Sequence, residues 1–458
     1  MRRLTAQIGM ALCMALTGGD ALQATPLDDY VKKPDPNHGF RVVQTLRGDG
    51  GTAYLLTFLS QAWRTGAEVD RILWRHWLEV YVPDDTRHDA ALLRIGGGVS
   101  GDEPPKLPNR GLARLALETN SVTAFLHDVP NQPLCFMGDP DLSPRVEDEI
   151  LAFSFARFME SDDPAWLALL PMVKSTTGAM DAITTFSAGL PDHPAKVARY
   201  VLHGYSKRGW TTWLTAAVDS RVAGAAPAVI EMLNVKASLQ HQFRAYGQYA
   251  AAVHDYVDNG LMDVLEKPEF AEVARIIDPF SYRERLTMPK LILNSAGDEF
   301  FLPDSWRFYW DELPGLKHMR TLPNTRHGLN ASADETLQTF YECILTGRKM
   351  PRLEWRTEGA GRIVVTTTDI PLSVAMWSAH NPKARDFRLE SIGETWRRKK
   401  LTSKGGGVFS AELSEPATGW SAFLVEVVFP DPNRAGRTVT LTSGVSVVPD
   451  RLPYELPK

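Results

Sequence analysis

Ser206, Asp298 and His327 follow one another in an order suited to acyl transfer. Ser206 lies in residues 199–224, RYVLHGYSKRGWTTWLTAAVDSRVAG, where a β-branched run ends in Gly-Tyr-Ser and passes straight into an alanine-rich helical pattern. Strand, Gly-x-Ser turn and helix form the setting of a nucleophile: the turn lifts the hydroxyl above the sheet edge, and the helix N-terminus favours developing negative charge. The glycine spacing here is Gly-x-Ser-x-x-Gly, with Arg208 where a small residue usually stands and the second glycine at Gly209. On this piece alone, a serine that merely caps a helix is the plainer reading.

The later acid and base favour catalysis. KLILNSAGDEFFLP is a strand ending in a Gly-Asp turn, which puts Asp298 at the strand's C-terminal end, with Glu299 and Asp304 as rivals; HMRTLPNTRHGL then carries His327 just before Gly328. His327 would take the proton from Ser206 and return it to the leaving group, while Asp298 fixes the histidine tautomer. An oxyanion needs two backbone N–H donors. Lys207, next to the serine, supplies one, and the glycines of LLRIGGGVSG, Gly97 and Gly98 in particular, supply the other. No Lys-Ser/Thr follows that glycine run, so it does not read as a phosphate loop. In HDVPNQPLCF, Asn131 and Gln132 stand on the same expected rim, either as substrate contacts or to order the loop; Arg208, beside Lys207, would receive a substrate carboxylate or pair with acids nearby. Such chemistry needs no metal and no cofactor.

These residues need a scaffold that brings three distant loops together. From residue 111 onward helical and extended patterns alternate, which argues for a mostly parallel sheet covered on both faces. Four extended runs between residues 40 and 95 precede it. The order serine, acid, histidine, each after a later strand, is that of the α/β-hydrolase fold. Residues 231–285 form a long, aromatic-rich helical insertion that would roof the site. After residue 350 the pattern alternates with a period of two between Gly, Pro and Asn turns, as in an antiparallel β-sandwich. The expected organisation is a leader over 1–24, a catalytic domain over 25–350 and a C-terminal all-β domain over 351–458.

The leader reading rests on MRRLTAQIGMALCMALTGGDALQA: two arginines, a short apolar run, then small residues. It predicts a periplasmic or secreted protein with no transmembrane segment in the mature chain. Removing the leader leaves Cys135 and Cys343, either paired or both buried thiols. With 44% apolar and 23% charged residues and a net charge of −5 over 458 residues, the chain carries no nucleic-acid footprint.

LDDYVKKPDP, TAYLLTFLSQAW, VDRILWRHWLEVYVP, IGGGVSG, VPNQPL, GYSKRGWTTWLTAAVDSRV, LNSAGDEFFLPDSW, NTRHGL and NPKARDFRL resemble the PhoPQ-activated pathogenicity-related proteins, a family that includes a secreted amoebal proliferation repressor. The resemblance runs over nearly the whole mature chain. It implies an exported protein with a hydrolase core and an all-β C-terminal domain, linked to virulence or envelope stress; it implies no substrate. The elbow is also similar to the Gly-Cys-Ser-Arg-x-Gly turn of glucuronoyl esterases, with Tyr205 for the cysteine and Lys207 for the arginine. The general layout of the three residues resembles that of prolyl dipeptidases. The resulting expectation is an exported serine hydrolase acting on a small-molecule, glycan or peptide ester, with peptide bonds second. The alternative is a hydrolase-fold binding or signalling protein without turnover.

Overall fold

A computed structural model describes residues 24–457 apart from 102, 140 and 141. The expected leader therefore lies outside the described residues except for Ala24. Among the described residues, no helix is long and apolar enough to cross a membrane.

A nine-stranded sheet organises the molecule: β1 (Gly39–Gly48), β2 (Gly51–Ala62), β3 (Leu73–Pro83), β4 (Ala90–Ile95), β5 (Thr123–Leu126), β6 (Arg199–Tyr205), β7 (Val222–Ala228), β8 (Lys290–Ser295) and β9 (Lys317–Leu322). Its order is β1-β2-β3-β5-β4-β6-β7-β8-β9. The first strands pair antiparallel and β5 through β9 run parallel. An antiparallel start, the exchange of two strands in the order, and a parallel remainder are the α/β-hydrolase fold. Because the chain goes from β4 out to β5 and returns to the other side of β4 as β6, the connection reverses between β4 and β6. A crevice opens at such a switch point, beyond the carboxyl ends of the strands.

Side chains of the central strands alternate between two apolar cores, as a doubly covered sheet requires. Ala91, Leu93, Tyr200 and Leu202 pack on one side with α3 (Glu147–Ser161), α4 (Leu169–Ala188) and α5 (Lys207–Val218). Leu92 and Val201 pack on the other with α2 (Arg110–Thr119) and α9 (Ala331–Thr346). A short α1 (Pro26–Lys32) precedes the sheet, and α6 (Val235–Tyr246), α7 (His254–Asp258) and α8 (Pro268–Ile277) fill the connection from β7 to β8.

The C-terminal part is all antiparallel. One sheet has β10 (Leu353–Thr357), β11 (Arg362–Thr367) and β14 (Val408–Glu412); the other has β12 (Ser373–Asn381), β13 (Arg397–Lys400), β15 (Trp420–Pro430) and β16 (Thr438–Thr442), with β17 (Ser446–Val448) beside β15. Ile363 and Phe409 from the first meet Met376 and Val425 from the second in the same core that receives Leu92 and Val201. Cys135 and Cys343 are separate free thiols, Cys343 buried.

Candidate active site

Ser206 is the residue between β6 and α5, and its backbone is strained. Its φ and ψ are 54° and −128°, in a region that side-chain-bearing residues rarely occupy. The turn is held by its own amide, which donates to Ala228 O of β7 at 2.8 Å, and by Trp210 N donating to Ser206 O at 2.9 Å. Asn109 and Asn330 cap α2 and α9 with side-chain hydrogen bonds, whereas the Ser206 hydroxyl caps nothing in α5.

The unusual glycine spacing has a steric cause. A Cβ on Gly204 would meet the backbone of Arg208 at 2.5 Å, and one on Gly209 would meet Gly204 O and Ala228 O at 3.0 Å each. The two glycines let the first turn of α5 lie directly on β6 and β7. Arg208 fits at the usual small-residue position because its side chain leaves over another glycine: a Cβ on Gly97 would stand 2.5 Å from Arg208 Nη2.

Beyond β8 and β9, Asp298 and His327 meet. His327 Nδ1 lies 3.0 Å from each Asp298 carboxylate oxygen, and Asp298 is 4% exposed. Asp298 Oδ1 also accepts from Phe300 N at 2.8 Å, and the Phe300 ring lies against the His327 ring with centroids 4.3 Å apart. His327 Nε2 is buried and takes no hydrogen-bond partner. The two rival carboxylates do other work. Glu299 accepts from His327 N at 2.7 Å, which fixes the loop, and the fully buried Asp304 holds His241 at 3.0 Å and Arg385 at 2.5 Å.

Glu147, at the start of α3, joins the loop after β4 to the serine turn. Its carboxylate receives Arg208 Nη1 and Nη2, each at 2.6 Å, Lys207 Nζ at 2.7 Å and Gln132 Nε2 at 2.7 Å. Gln132 Nε2 also donates to Gly98 O at 2.9 Å, and Gln132 Oε1 accepts from Glu147 N at 2.7 Å. Burial opposes the Glu147 charge, yet the Arg208 hydrogen bonds and the Lys207 charge hold its carboxyl well below the ordinary range.

Of the two roles open to Arg208, Asn131 and Gln132, the hydrogen bonds are those of pairing with an acid and ordering the loop. Arg208 gives Nε to Val129 O at 2.5 Å and one N–H from each Nη to Glu147, so its charge is already paired inside the protein. Gln132 is spent on the loop, and Asn131 is fully buried, donating to Arg71 O at 3.4 Å. Two cations after the serine needed counter-charges, but nothing in the chain pointed to an acid some sixty residues away. Lys207 sends its side chain to Glu147 and to Asp148, the latter at 3.1 Å. Gly96 O and Gly97 O accept from Val129 N and Asp128 N at 3.1 and 3.2 Å. In a trans peptide the N–H opposes the C=O, so the amides of Gly97 and Gly98 turn away from that neighbouring segment.

A narrow cavity opens beside Ser206. Its walls include Trp210 of α5, Leu239 of α6, Phe270 of α8 and Phe300, together with Glu231, whose importance sequence reasoning missed. The signal was there: an acid directly after the apolar strand run AAPAVI.

A sequence profile of the PhoPQ-activated pathogenicity-related proteins matches residues 27–388. The autocrine proliferation repressor protein A of Dictyostelium discoideum is 34% identical over 459 aligned residues, 94% of this chain and 92% of the relative. The chain belongs to the PhoPQ-activated pathogenicity-related family. Solved structures similar to this PhoPQ-related protein include an acetyl xylan esterase from Paenibacillus sp. R4, with 15% identity, TM-score 0.47 and coverage of 69% of this chain and 90% of that one. A glucuronoyl esterase from Solibacter usitatus superposes with 13% identity, TM-score 0.41 and coverage of 68% and 87%. Both superpositions are loose, and the fold of this PhoPQ-related protein rests on its own strand order.

Proposed function

We propose that this protein is a serine hydrolase that cleaves esters, and peptide bonds less readily, by acyl transfer to water. Ser206 is the nucleophile, His327 the general base and then acid, and Asp298 the carboxylate that orients the ring. The observation that carries this reading is the pairing of His327 Nδ1 with both Asp298 oxygens. That pairing puts the ring proton on Nδ1 and leaves Nε2 basic, without a partner inside the protein. Nε2 takes the Ser206 proton as the hydroxyl attacks the acyl carbon and delivers it to the leaving group; Asp298 stabilises the imidazolium in between. The amide of Lys207 and one of Gly97 or Gly98 receive the oxyanion. Water repeats the cycle on the acyl-enzyme.

Residues 1–24 support export to the periplasm or beyond, and the family's name supports a link to virulence or envelope stress. Esters rank above peptides because no residue pair announces a pocket for a peptide N-terminus. The experiment is labelling with a fluorophosphonate probe. Wild type is expected to label, and Ser206→Ala and His327→Ala are expected not to; a folded wild type that stays unlabelled overturns the reading.

The name of the amoebal relative, a proliferation repressor, favours a second reading, a signalling protein on a hydrolase scaffold. Retention of biological effect in Ser206→Ala would select it.

A further inference from the structure

One ionisable side chain in the cavity has no part in the chemistry above. Glu231, three residues past β7, is 4% exposed and lines the cavity with Ser206. Its Oε1 accepts the Tyr309 hydroxyl at 2.7 Å. Tyr309 is not part of the cavity wall, whereas Glu231 is. Oε2 is buried and has no hydrogen-bond partner. Buried polar atoms are rarely left bare in native proteins, and one at a cavity marks where a ligand's polar atom would end.

The protonation state says what kind of atom that is. Burial, reinforced by the charges of Asp298 and Asp304, pushes the Glu231 carboxyl up to about 8. The group is therefore neutral near pH 7, and since Tyr309 donates to Oε1, the acid proton sits on Oε2. Oε2–H is a donor in need of an acceptor. Most of the wall is apolar, with Val235 and Leu239 from α6, Phe270 and Val273 from α8, and Phe300 and Phe301, while Ser238, Gln242, Tyr256 and Ser305 add polar groups.

Building on the serine-hydrolase reading, we propose that this cavity receives an apolar acyl chain bearing one hydrogen-bond acceptor, a keto, hydroxyl or amide oxygen, which Glu231 Oε2 recognises. An ammonium group would first have to draw the proton off Glu231, whereas a carbonyl oxygen meets the group as it stands. Glu231 is thus a specificity residue, with Tyr309 positioning it.

The test has two arms. In Ser206→Ala protein, binding of 2-heptanone and of hexylammonium is measured by ligand-observed NMR, alone and with Glu231→Gln or Glu231→Leu added. The ketone should bind more tightly than the ammonium, stay within about threefold in Glu231→Gln, whose amide still donates, and weaken at least about tenfold in Glu231→Leu. Ketone binding unchanged in folded Glu231→Leu, no ketone binding at all, or tighter hexylammonium binding overturns the proposal; if Glu231→Leu does not fold, the ligand comparison and Glu231→Gln decide. In wild type, kcat/KM for p-nitrophenyl 4-oxopentanoate should exceed that for p-nitrophenyl pentanoate by at least about tenfold; equal turnover of the two counts against the acceptor. Absence of any ester turnover with the ketone results intact would sink the hydrolase reading and leave the cavity assignment standing.

Discussion

The guanidinium of Arg208 lies where a side chain on Gly97 would begin. A Cβ there would be 2.5 Å from Nη2, and the group cannot retreat, because Glu147 and Val129 O hold it at 2.6 and 2.5 Å. The loop after β4 and the turn after β6 are thus fitted to each other. Gly97→Ala should cost about 1–3 kcal/mol, the usual range for overpacking, and slow fluorophosphonate labelling. Gly204→Ala should be worse, since it meets unyielding backbone at 2.5 Å, and Gly209→Ala milder, since its closest contacts are at 3.0 Å. Urea denaturation of the three variants checks the order.

Glu147→Ala would leave Lys207 and Arg208, with side chains 6% and 11% exposed, without their shared counter-charge. Because Glu147 itself is 38% exposed, the expected loss is about 2–3 kcal/mol, below the figure for a fully buried pair. Its carboxyl is lowered in the folded protein, so the stabilisation is complete above the ordinary value of 4.5 and is lost as pH falls below it. Denaturation midpoints from pH 7 down to pH 3 should fall more steeply for wild type than for Glu147→Gln.

Three neighbouring carboxylates should give three distinct phenotypes. Under the proposed mechanism Asp298→Asn lowers kcat by about 10⁴, through loss of the correct histidine tautomer. Glu299→Gln, which only loosens the loop at His327 N, should cost at most about a hundredfold. Asp304→Asn should unfold easily, by about 3–5 kcal/mol, because it strands the buried Arg385. Parallel kinetics and calorimetry separate them, and a drop in kcat for Asp304→Asn without a loss of stability would contradict the assignment.

Ser206 holds a backbone conformation that glycine adopts freely. Ser206→Gly should therefore abolish labelling while raising stability by about 1 kcal/mol. A thermal melt of that variant alongside Ser206→Ala, which keeps the strain, isolates the backbone term.

Much of the scaffold was legible because burial writes a period into the chain. The alternation of extended and helical patterns after residue 111 specified the parallel half of the sheet. Other elements carried no such signal. α4 begins at Leu169, ten residues before the helical run AMDAITTFSA, because its first half contains Pro171, Thr176, Thr177 and Gly178, poor helix formers overridden by burial. The run RIVVTTTDIPLSVAMWSAH reads as one extended stretch, yet it breaks near Pro371 into β11 and β12, which sit in different sheets. β13 is Arg-Arg-Lys-Lys, an exposed edge strand with no apolar pattern, whose charges discourage further pairing. At the site, Ser206, Asp298 and His327 could be picked out by their place after strands. Glu231 also follows a strand, but its partner Tyr309 is distant in sequence, and Glu147 could not be picked out at all, since only the folded chain brings it to Arg208.

The loops bearing Asp298 and His327 are gripped from outside the α/β sheet. Leu389 N donates to Gly297 O at 3.0 Å, Trp396 N donates to the Asn324 side chain at 3.0 Å, and Arg385 reaches Asp304. The C-terminal part thus serves as a splint: the smaller part of the chain, which carries neither residue, decides how long the larger part keeps its working shape. Wear on the protein, by heat or by proteases, should be felt first as a slackening of that grip, well before the central sheet gives way.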